Sequence, residues 1–293
     1  MGLLQMANDA AKNQPQASVS DYYGAGFYKS QMDGSLNSAR RFVDHLSLIF
    51  KPHSVVDLGC GRGTWLKAFK DCGAEKVVGF DGSWNSQDNM VDQSIVFFSV
   101  DLNKQLAAHE EKYDLAISLE VAEHLEESSA ATFVESLAKL SDVVMFGAAY
   151  TGQGGTNHIN EQPCTYWAKI FKEHGYMPYD LFRPVFWGNP VVDFWYQQNT
   201  FLYVKGTSAL VQKLSDAGYQ PIKNIAFMDC IHPILYDATL SQTRMKAFFR
   251  RLVRVVIPVA SLRRLVRAAI PEPLRPFALK IKKALAKPSQ PVL

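Results

Sequence analysis

Short apolar segments alternate with amphipathic segments between residues 54 and 206, and this alternation constrains the fold more than any other feature of the sequence. The apolar segments have the length of buried strands, and the amphipathic ones repeat apolar residues at helical spacing. This order predicts an α/β fold in which helices cover both faces of a mainly parallel sheet. We expect strands at 54–59, 76–81, 94–100, 113–119, 142–149, 176–184 and 200–206, and helices at 21–50, 63–73, 128–140 and 163–175.

Composition and cysteine usage narrow the class of protein. With 47% hydrophobic and 20% charged residues, the chain of 293 residues can bury a substantial core. Its four cysteines form no CxxC pair, which argues against a zinc cluster or a disulfide framework and is typical of a reducing cytoplasm. No run of 18 apolar residues predicts a membrane-spanning helix. Residues 1–20 lack the pattern of a signal peptide, and we expect a disordered leader there.

Charge divides the chain unevenly. Residues 244–293 contain thirteen Lys or Arg and one acid, or +12, so the remainder carries about −9 of the net +3. We therefore predict a globular domain at 21–206, an extension at 207–243 and a basic amphipathic helical tail at 244–293. Such a tail suits an anionic membrane surface, which makes peripheral contact with the inner membrane face one hypothesis. Packing on the acidic body or in an oligomer interface is the alternative, and the oligomeric state stays open.

A glycine-rich loop follows the first predicted strand in VVDLGCGRGTW. Glycines let a backbone turn sharply and approach a ligand closely. The spacing is GxGxG instead of the dinucleotide pattern GxGxxG, and the lysine of a P-loop is missing. Ligands of such sheets bind beyond the carboxyl ends of the strands. Three further acids, Asp81, Asp101 and Glu120, follow strands at that same edge.

The glycine loop, KVVGFD, FFSVDLN and SLEVAEHL occur in an order that resembles the class I S-adenosylmethionine (SAM)-dependent methyltransferases, over residues 21–206. The last motif is similar to that of the quinone-methylase-like branch. The resemblance implies a Rossmann-like sheet of seven strands whose last strand is antiparallel. It also implies that Asp81 binds the ribose hydroxyls and that Asp101 lies near the adenine amine, with Leu102 beside the ring. The implied cofactor site comprises Asp57, Gly59, Gly61, Gly63, Asp81, Gly82, Asp101, Leu102, Leu119 and Glu120.

The segment SLEVAEHLEE places Glu120, Glu123 and His124 at i, i+3 and i+4, so one helical turn would bring them to a common face. Three hypotheses compete for this cluster. In the first, His124 is a general base that removes a proton from the methyl acceptor while a carboxylate orients the ring. In the second, the cluster binds a divalent metal together with His158. In the third, Glu120 holds the amino-acid group of SAM, and Glu123 and His124 form a helix cap.

The metal hypothesis rests on a second resemblance. An ExxEH pattern with a later histidine resembles the magnesium or manganese site of small-RNA 2′-O-methyltransferases and of some quinone O-methylases. The resemblance implies Mg or Mn bound by Glu120, Glu123, His124 and His158. A metal would lower the pKa of a coordinated hydroxyl and position it.

Amides and aromatic rings surround the predicted cleft and suit a sugar or a flat aromatic acceptor. They occur in DYYGAGFYKSQMDGS, GQGGTNHINEQP and FWGNPVVDFWYQQN. The candidate substrate-binding residues are Tyr28, Gln31, Asn157, Asn160, Glu161, Trp195, Tyr196 and Asn199.

The arrangement of these segments resembles bacterial methyltransferases from surface-polysaccharide gene clusters. That resemblance suggests O-methylation of a sugar in a surface glycan or its lipid-linked precursor by a cytoplasmic enzyme. An RNA or a small aromatic or quinol acceptor is the alternative, although an acidic body is unfavourable for nucleic acid. A SAM-binding protein without catalytic activity is the third possibility.

Overall fold

A computed structural model describes residues 25–106 and 111–256. The predicted leader and residues 257–293 of the predicted tail lie outside the described residues. The chain divides into two compact units, residues 1–235 and 236–293. The first contains the sheet, and most of the long helix α8 belongs to the second. In the described part of the chain, no helix combines the length and apolar composition needed to cross a bilayer.

Seven strands form one sheet, which confirms the predicted α/β, Rossmann-like architecture. The strand order is β3-β2-β1-β4-β5-β7-β6, and β7 is antiparallel to both of its neighbours, β5 and β6. The order reverses between β1 and β4, so the cleft for a ligand opens beyond their carboxyl ends. The strands are β1 (Ser54–Leu58), β2 (Lys76–Asp81), β3 (Val96–Ser99), β4 (Leu115–Leu119), β5 (Val143–Gly147), β6 (Tyr176–Tyr179) and β7 (Phe201–Lys205).

Helices cover both faces of the sheet. Alternate residues of each central strand point to opposite faces, so two buried apolar clusters form, one between the sheet and helices α1 and α2 and one between the sheet and helices α3 and α4. The helices of the first unit are α1 (Ala25–Leu46), α2 (Thr64–Asp71), α3 (Ala130–Leu140), α4 (Cys164–Glu173), α5 (Arg183–Phe186), α6 (Phe194–Asn199) and α7 (Leu210–Asp216); α8 is Pro233–Val256.

Several predicted boundaries differ from the observed ones. The helix expected at 63–73 begins at Thr64 because Gly63 has a left-handed backbone, with φ of 78°. The strand expected at 94–100 is limited to Val96–Ser99. The segment 186–199, expected as a connection between the last two strands, contains the whole of the short helix α6. The first two differences lie at element ends, where boundaries commonly vary by one or two residues.

Candidate active site

The glycine loop connects β1 to α2 at the switch in strand order. Gly59, Gly61 and Gly63 all have left-handed backbones, with φ of 88°, 53° and 78°. A Cβ on Gly59 would overlap the side chain of Val121, whereas a Cβ on Gly61 would have no atom within 4 Å. The backbone at Gly61 therefore faces open space that a ligand can enter, as the predicted cofactor site requires.

Two buried carboxylates border this loop. Asp57 is 4% exposed and Asp81 is 5% exposed. Asp81 accepts hydrogen bonds from the backbone N–H groups of Gly61 and Gly82, each at 2.7 Å, and thereby ties the loop to the end of β2. Burial raises the pKa of both carboxyls, and the charge of Asp81 raises that of Asp57 further. A cationic ligand would offset the cost of these buried charges.

The predicted adenine end of the site is more exposed. Asp101 forms an ion pair with Lys104 at 3.0 Å and accepts a hydrogen bond from the N–H of Asn103. The hydrogen bond from Lys104 is the main cause of its lowered pKa. Leu102 is buried in the same apolar cluster as Phe80. Trp84 was not among the predicted site residues, and its one signal was an aromatic residue shortly after Asp81. Its side chain is 68% exposed and lies against Gly82.

The chain after β4 turns abruptly. Glu120 has a φ of 55°, an uncommon value for a residue other than glycine, and a short 3₁₀ turn follows at Ala122–His124. The expectation that Glu120, Glu123 and His124 share one helical face is therefore wrong. The left-handed backbone of Glu120 leaves this residue outside the 3₁₀ turn that carries the other two.

Glu123 is fully buried, and neither carboxylate oxygen has a hydrogen-bond partner of good geometry among the described residues. Burial raises its pKa to about 9, with a further contribution from the charge of Glu120. The amides of Glu123 itself and of Ala149 lie near enough to lower the pKa slightly. A buried carboxylate without a hydrogen-bond partner is costly, and a bound proton or a nearby cation lowers that cost.

His124 and His158 face each other beside Glu123. Their ring centroids are 4.8 Å apart, and His158 Nε2 lies 4.0 Å from Glu123 Oε1. His158 Nδ1 lies 2.9 Å from Glu161 Oε1, and His124 Nδ1 lies 3.3 Å from the carbonyl oxygen of Asn157. Each acceptor favours a proton on Nδ1, and a neutral ring with its proton there has a lone pair on Nε2. A metal-binding histidine usually donates its other ring N–H to a carboxylate or to a backbone carbonyl oxygen.

One ligand atom each from Glu123, His124 and His158 lies within 4.8 Å of the other two, and we call these three residues the cation cluster. A carboxylate with two imidazoles suits Mg, Mn, Fe or Zn. Burial, together with the charge of His158, lowers the pKa of His124 and so favours the neutral ring that a ligand or a base requires. Glu120 is not part of the cluster.

Glu120 instead contacts two amide side chains. Its carboxylate accepts hydrogen bonds from Gln153 Nε2 at 2.7 Å and from Asn199 Nδ2 at 3.0 Å. Burial raises the pKa of Glu120, while these two hydrogen bonds lower it. Gln153 was not among the predicted site residues, because nothing local distinguishes it from the other amides in the loop.

The predicted substrate-binding residues of the loop after β5 have different surroundings. Asn157 is exposed and has a left-handed φ of 60°. Asn160 is 3% exposed and bonds to Gln162 and to the carbonyl of Ala122. Glu161 accepts hydrogen bonds from the N–H groups of Gly152 and Gly154 and holds His158. Glu161 therefore organises the loop that brings His158 to the cation cluster.

The other predicted substrate-binding residues lie on α1 and α6. Tyr196 is 8% exposed and packs edge-on against Trp65 at 5.1 Å, and Trp195 packs partly buried against the same core. Asn199 is buried beside Glu120. Tyr28 and Gln31 belong to α1, but their side chains are outside the described part of the structure.

A protein family and several solved structures are similar to this chain. A family model described as "Methyltransferase domain" matches residues 28–220. Among solved structures, an O-methyltransferase family protein from Burkholderia thailandensis is 13% identical, with a TM-score of 0.48 over 70% of each chain. DesVI from Streptomyces venezuelae is 14% identical, with a TM-score of 0.48 over 66% of this chain and 100% of its own. No curated protein gave a match.

The strand order and the glycine loop between two buried acids define a class I methyltransferase. The chain belongs to the methyltransferase-domain family, whose model covers about two thirds of it. It is a SAM-dependent methyltransferase.

Proposed function

We propose that this enzyme O-methylates a sugar hydroxyl of a bacterial surface glycan, or of its lipid-linked precursor, with the help of a divalent cation. The observation that carries the proposal is the cation cluster at the carboxyl ends of β4 and β5, next to the cofactor loop. Nothing in cofactor binding requires two histidines beside a buried carboxylate there. Methyl transfer to a hydroxyl does require a group that handles the departing proton.

The residues present fit a divalent cation. Glu123 offers two buried oxygens without hydrogen-bond partners in the described structure, and His124 and His158 each offer an Nε2 lone pair. These three residues would hold the metal, with Glu120 as the fourth candidate. A bound metal would lower the pKa of a coordinated hydroxyl and hold it in place. Without a metal, the same Nε2 of His124 could accept the acceptor's proton directly.

The acceptor is inferred from charge and from hydrogen-bonding groups. The chain outside the basic tail carries about −9, which disfavours a polyanion near the cleft but not a neutral sugar. The loop after β5 exposes Thr151, Thr156 and Asn157, which can pair with sugar hydroxyls. RNA remains the alternative acceptor, because the cation cluster matches the pattern of the small-RNA enzymes in three of its four ligands.

The site of action follows from the same proposal. Lipid-linked glycans are assembled at a membrane, and the basic residues 244–287 suit an anionic surface. We therefore place the enzyme in the cytoplasm, in peripheral contact with the inner membrane face.

A methyl-transfer screen tests the proposal. Purified enzyme and labelled SAM are incubated with glycan fractions, RNA or quinols, each with and without EDTA. We expect labelled glycan, loss of turnover in EDTA, and recovery when Mn²⁺ is added. We expect His124→Ala to lower turnover by a factor on the order of 100, whereas His174→Ala, at the end of α4, leaves it unchanged.

Each result has a defined consequence. Turnover that persists in EDTA rejects the cation, and full activity in His124→Ala rejects both roles of that residue. Labelling of RNA alone would establish the alternative acceptor.

A further inference from the structure

Glu120, Gln153 and Asn199 form a closed triangle of hydrogen bonds. Gln153 Nε2 donates to one oxygen of Glu120 at 2.7 Å, and Asn199 Nδ2 donates to the other at 3.0 Å. Asn199 Nδ2 also donates to Gln153 Oε1 at 2.9 Å, so each member contacts both others. The triangle fixes a carboxylate whose own backbone, with φ of 55°, is already in an uncommon conformation. Strain of this kind persists where the surroundings over-determine the geometry.

The three members come from three segments of the chain that border the cleft. Glu120 follows β4, Gln153 lies in the loop after β5, and Asn199 ends α6 immediately before β7. Asn199 is itself held, since its Oδ1 accepts a hydrogen bond from Gln198 at 2.9 Å. The loop that contributes His158 to the cation cluster therefore also contributes Gln153, which contacts Glu120.

The triangle directs Glu120 toward α6. Tyr196, on the same helix as Asn199, packs against Trp65, the second residue of α2 after the glycine loop. Glu120 thus contacts the helix that packs against α2, and its carboxylate is not one of the three ligand groups of the cation cluster, although its charge acts on Glu123. The position of Glu120 therefore supports its predicted role in cofactor binding more than its predicted role in metal binding.

We propose that Gln153 and Asn199 are positioning residues that hold Glu120 outside the cation cluster, so that the cation is bound by three protein ligands while Glu120 serves the cofactor. The inference rests on the proposed cation dependence. It adds that the loop after β5 determines how many protein side chains bind the cation. A fourth ligand becomes available when the hydrogen bond from Gln153 is lost.

The first test uses binding measurements to distinguish the role of Glu120 from that of Glu123. The affinities for S-adenosylhomocysteine and for Mn²⁺ are measured by calorimetry, and Mn²⁺ also by electron paramagnetic resonance, on the full chain. We expect Glu120→Gln to weaken the binding of S-adenosylhomocysteine about tenfold, as the loss of a charged hydrogen bond does. The same variant should change the affinity for Mn²⁺ less than about twofold. We expect Glu123→Gln to weaken Mn²⁺ by about tenfold or more without changing S-adenosylhomocysteine binding.

The second test removes the hydrogen bond from Gln153 that holds the carboxylate of Glu120. Gln153→Ala should strengthen Mn²⁺ binding, by about tenfold if Glu120 joins the cluster, and the double variant Gln153→Ala/Glu120→Gln should return to the original affinity. Gln162→Ala, which removes another partly buried amide of the same loop, is the matched control and should leave both affinities unchanged.

The outcomes distinguish this inference from the proposed function. Equal loss of Mn²⁺ binding in Glu120→Gln and Glu123→Gln would overturn the inference and leave the cation in place. No Mn²⁺ binding by any form would overturn the cation itself. In that case, the affinity of Glu120→Gln for S-adenosylhomocysteine still tests whether Glu120 contributes to cofactor binding.

Discussion

At the scale of single residues, the cofactor loop depends on positions where a side chain is excluded for two different reasons. Gly59 is packed against Val121, so a Cβ there has no room. Gly61 has room for a Cβ, but in the space that a ligand would occupy, and its φ of 53° disfavours other residues. The N–H of Gly61 also binds Asp81, so the loop and the acid are fixed together.

Gly61→Ala should lower both the stability of the protein and its affinity for the cofactor product. We expect a loss of about 1–2 kcal/mol of unfolding free energy, because alanine is strained at this φ, and a loss of S-adenosylhomocysteine affinity of more than about tenfold, or more than about 1.4 kcal/mol. Urea denaturation and calorimetry measure the two quantities. Gly73→Ala is the control, because Gly73 has a φ of 109°, open space around it and a position at the far end of α2. Equal loss of affinity in both variants would contradict a direct role for Gly61.

At the scale of elements, long-range contacts determine where helices begin. The N-terminus of α4 has no capping side chain of its own. Asp229, 64 positions later, accepts hydrogen bonds from Thr165 N at 3.0 Å and from Thr165 Oγ1 at 2.7 Å. A carboxylate at a helix N-terminus satisfies free N–H groups and complements the helix dipole. This contact fastens the segment after α7 to the helix that supports β6.

Asp229→Ala should destabilise the protein without affecting the cleft. We expect a loss of about 1–2 kcal/mol in urea denaturation, typical of a removed cap, and unchanged affinity for S-adenosylhomocysteine. Asp216→Ala, near the end of α7, removes an exposed carboxylate and should cost less than about 0.5 kcal/mol. A drop in cofactor affinity in Asp229→Ala would show that this contact also shapes the cleft.

At the scale of the whole molecule, the family domain and the proposed membrane contact occupy different parts of the chain. The family match, residues 28–220, lies within the first compact unit, 1–235. Most of the positive charge of the C-terminal region follows residue 243, in the second unit. The predicted division at 243/244 stays a prediction, as do the other predicted domain limits.

Truncation after Gln242 should leave S-adenosylhomocysteine binding unchanged and abolish binding to anionic vesicles. The reason is that the truncated chain keeps the whole family domain but loses the thirteen basic residues of 244–293. Co-sedimentation with phosphatidylglycerol vesicles measures the loss, and neutral phosphatidylcholine vesicles provide the control. If the truncated chain still sedimented with the anionic vesicles, the tail would not be the membrane contact.

The sequence by itself determined the α/β class, the positions of most strands and the glycine loop with its acids. These features follow from local periodicity and from residue types, such as glycine at left-handed φ, whose preferences act over a few neighbours. Only the tertiary structure decided which side chains meet. The resemblance implied that His158 joins Glu123 and His124, and the structure brings these three together. The hydrogen bonds from Gln153 and Asn199 to Glu120, and from the loop backbone to Glu161, had no signal in the sequence. Such partners depend on strand order and on the packing of distant segments, which no local pattern of the chain encodes.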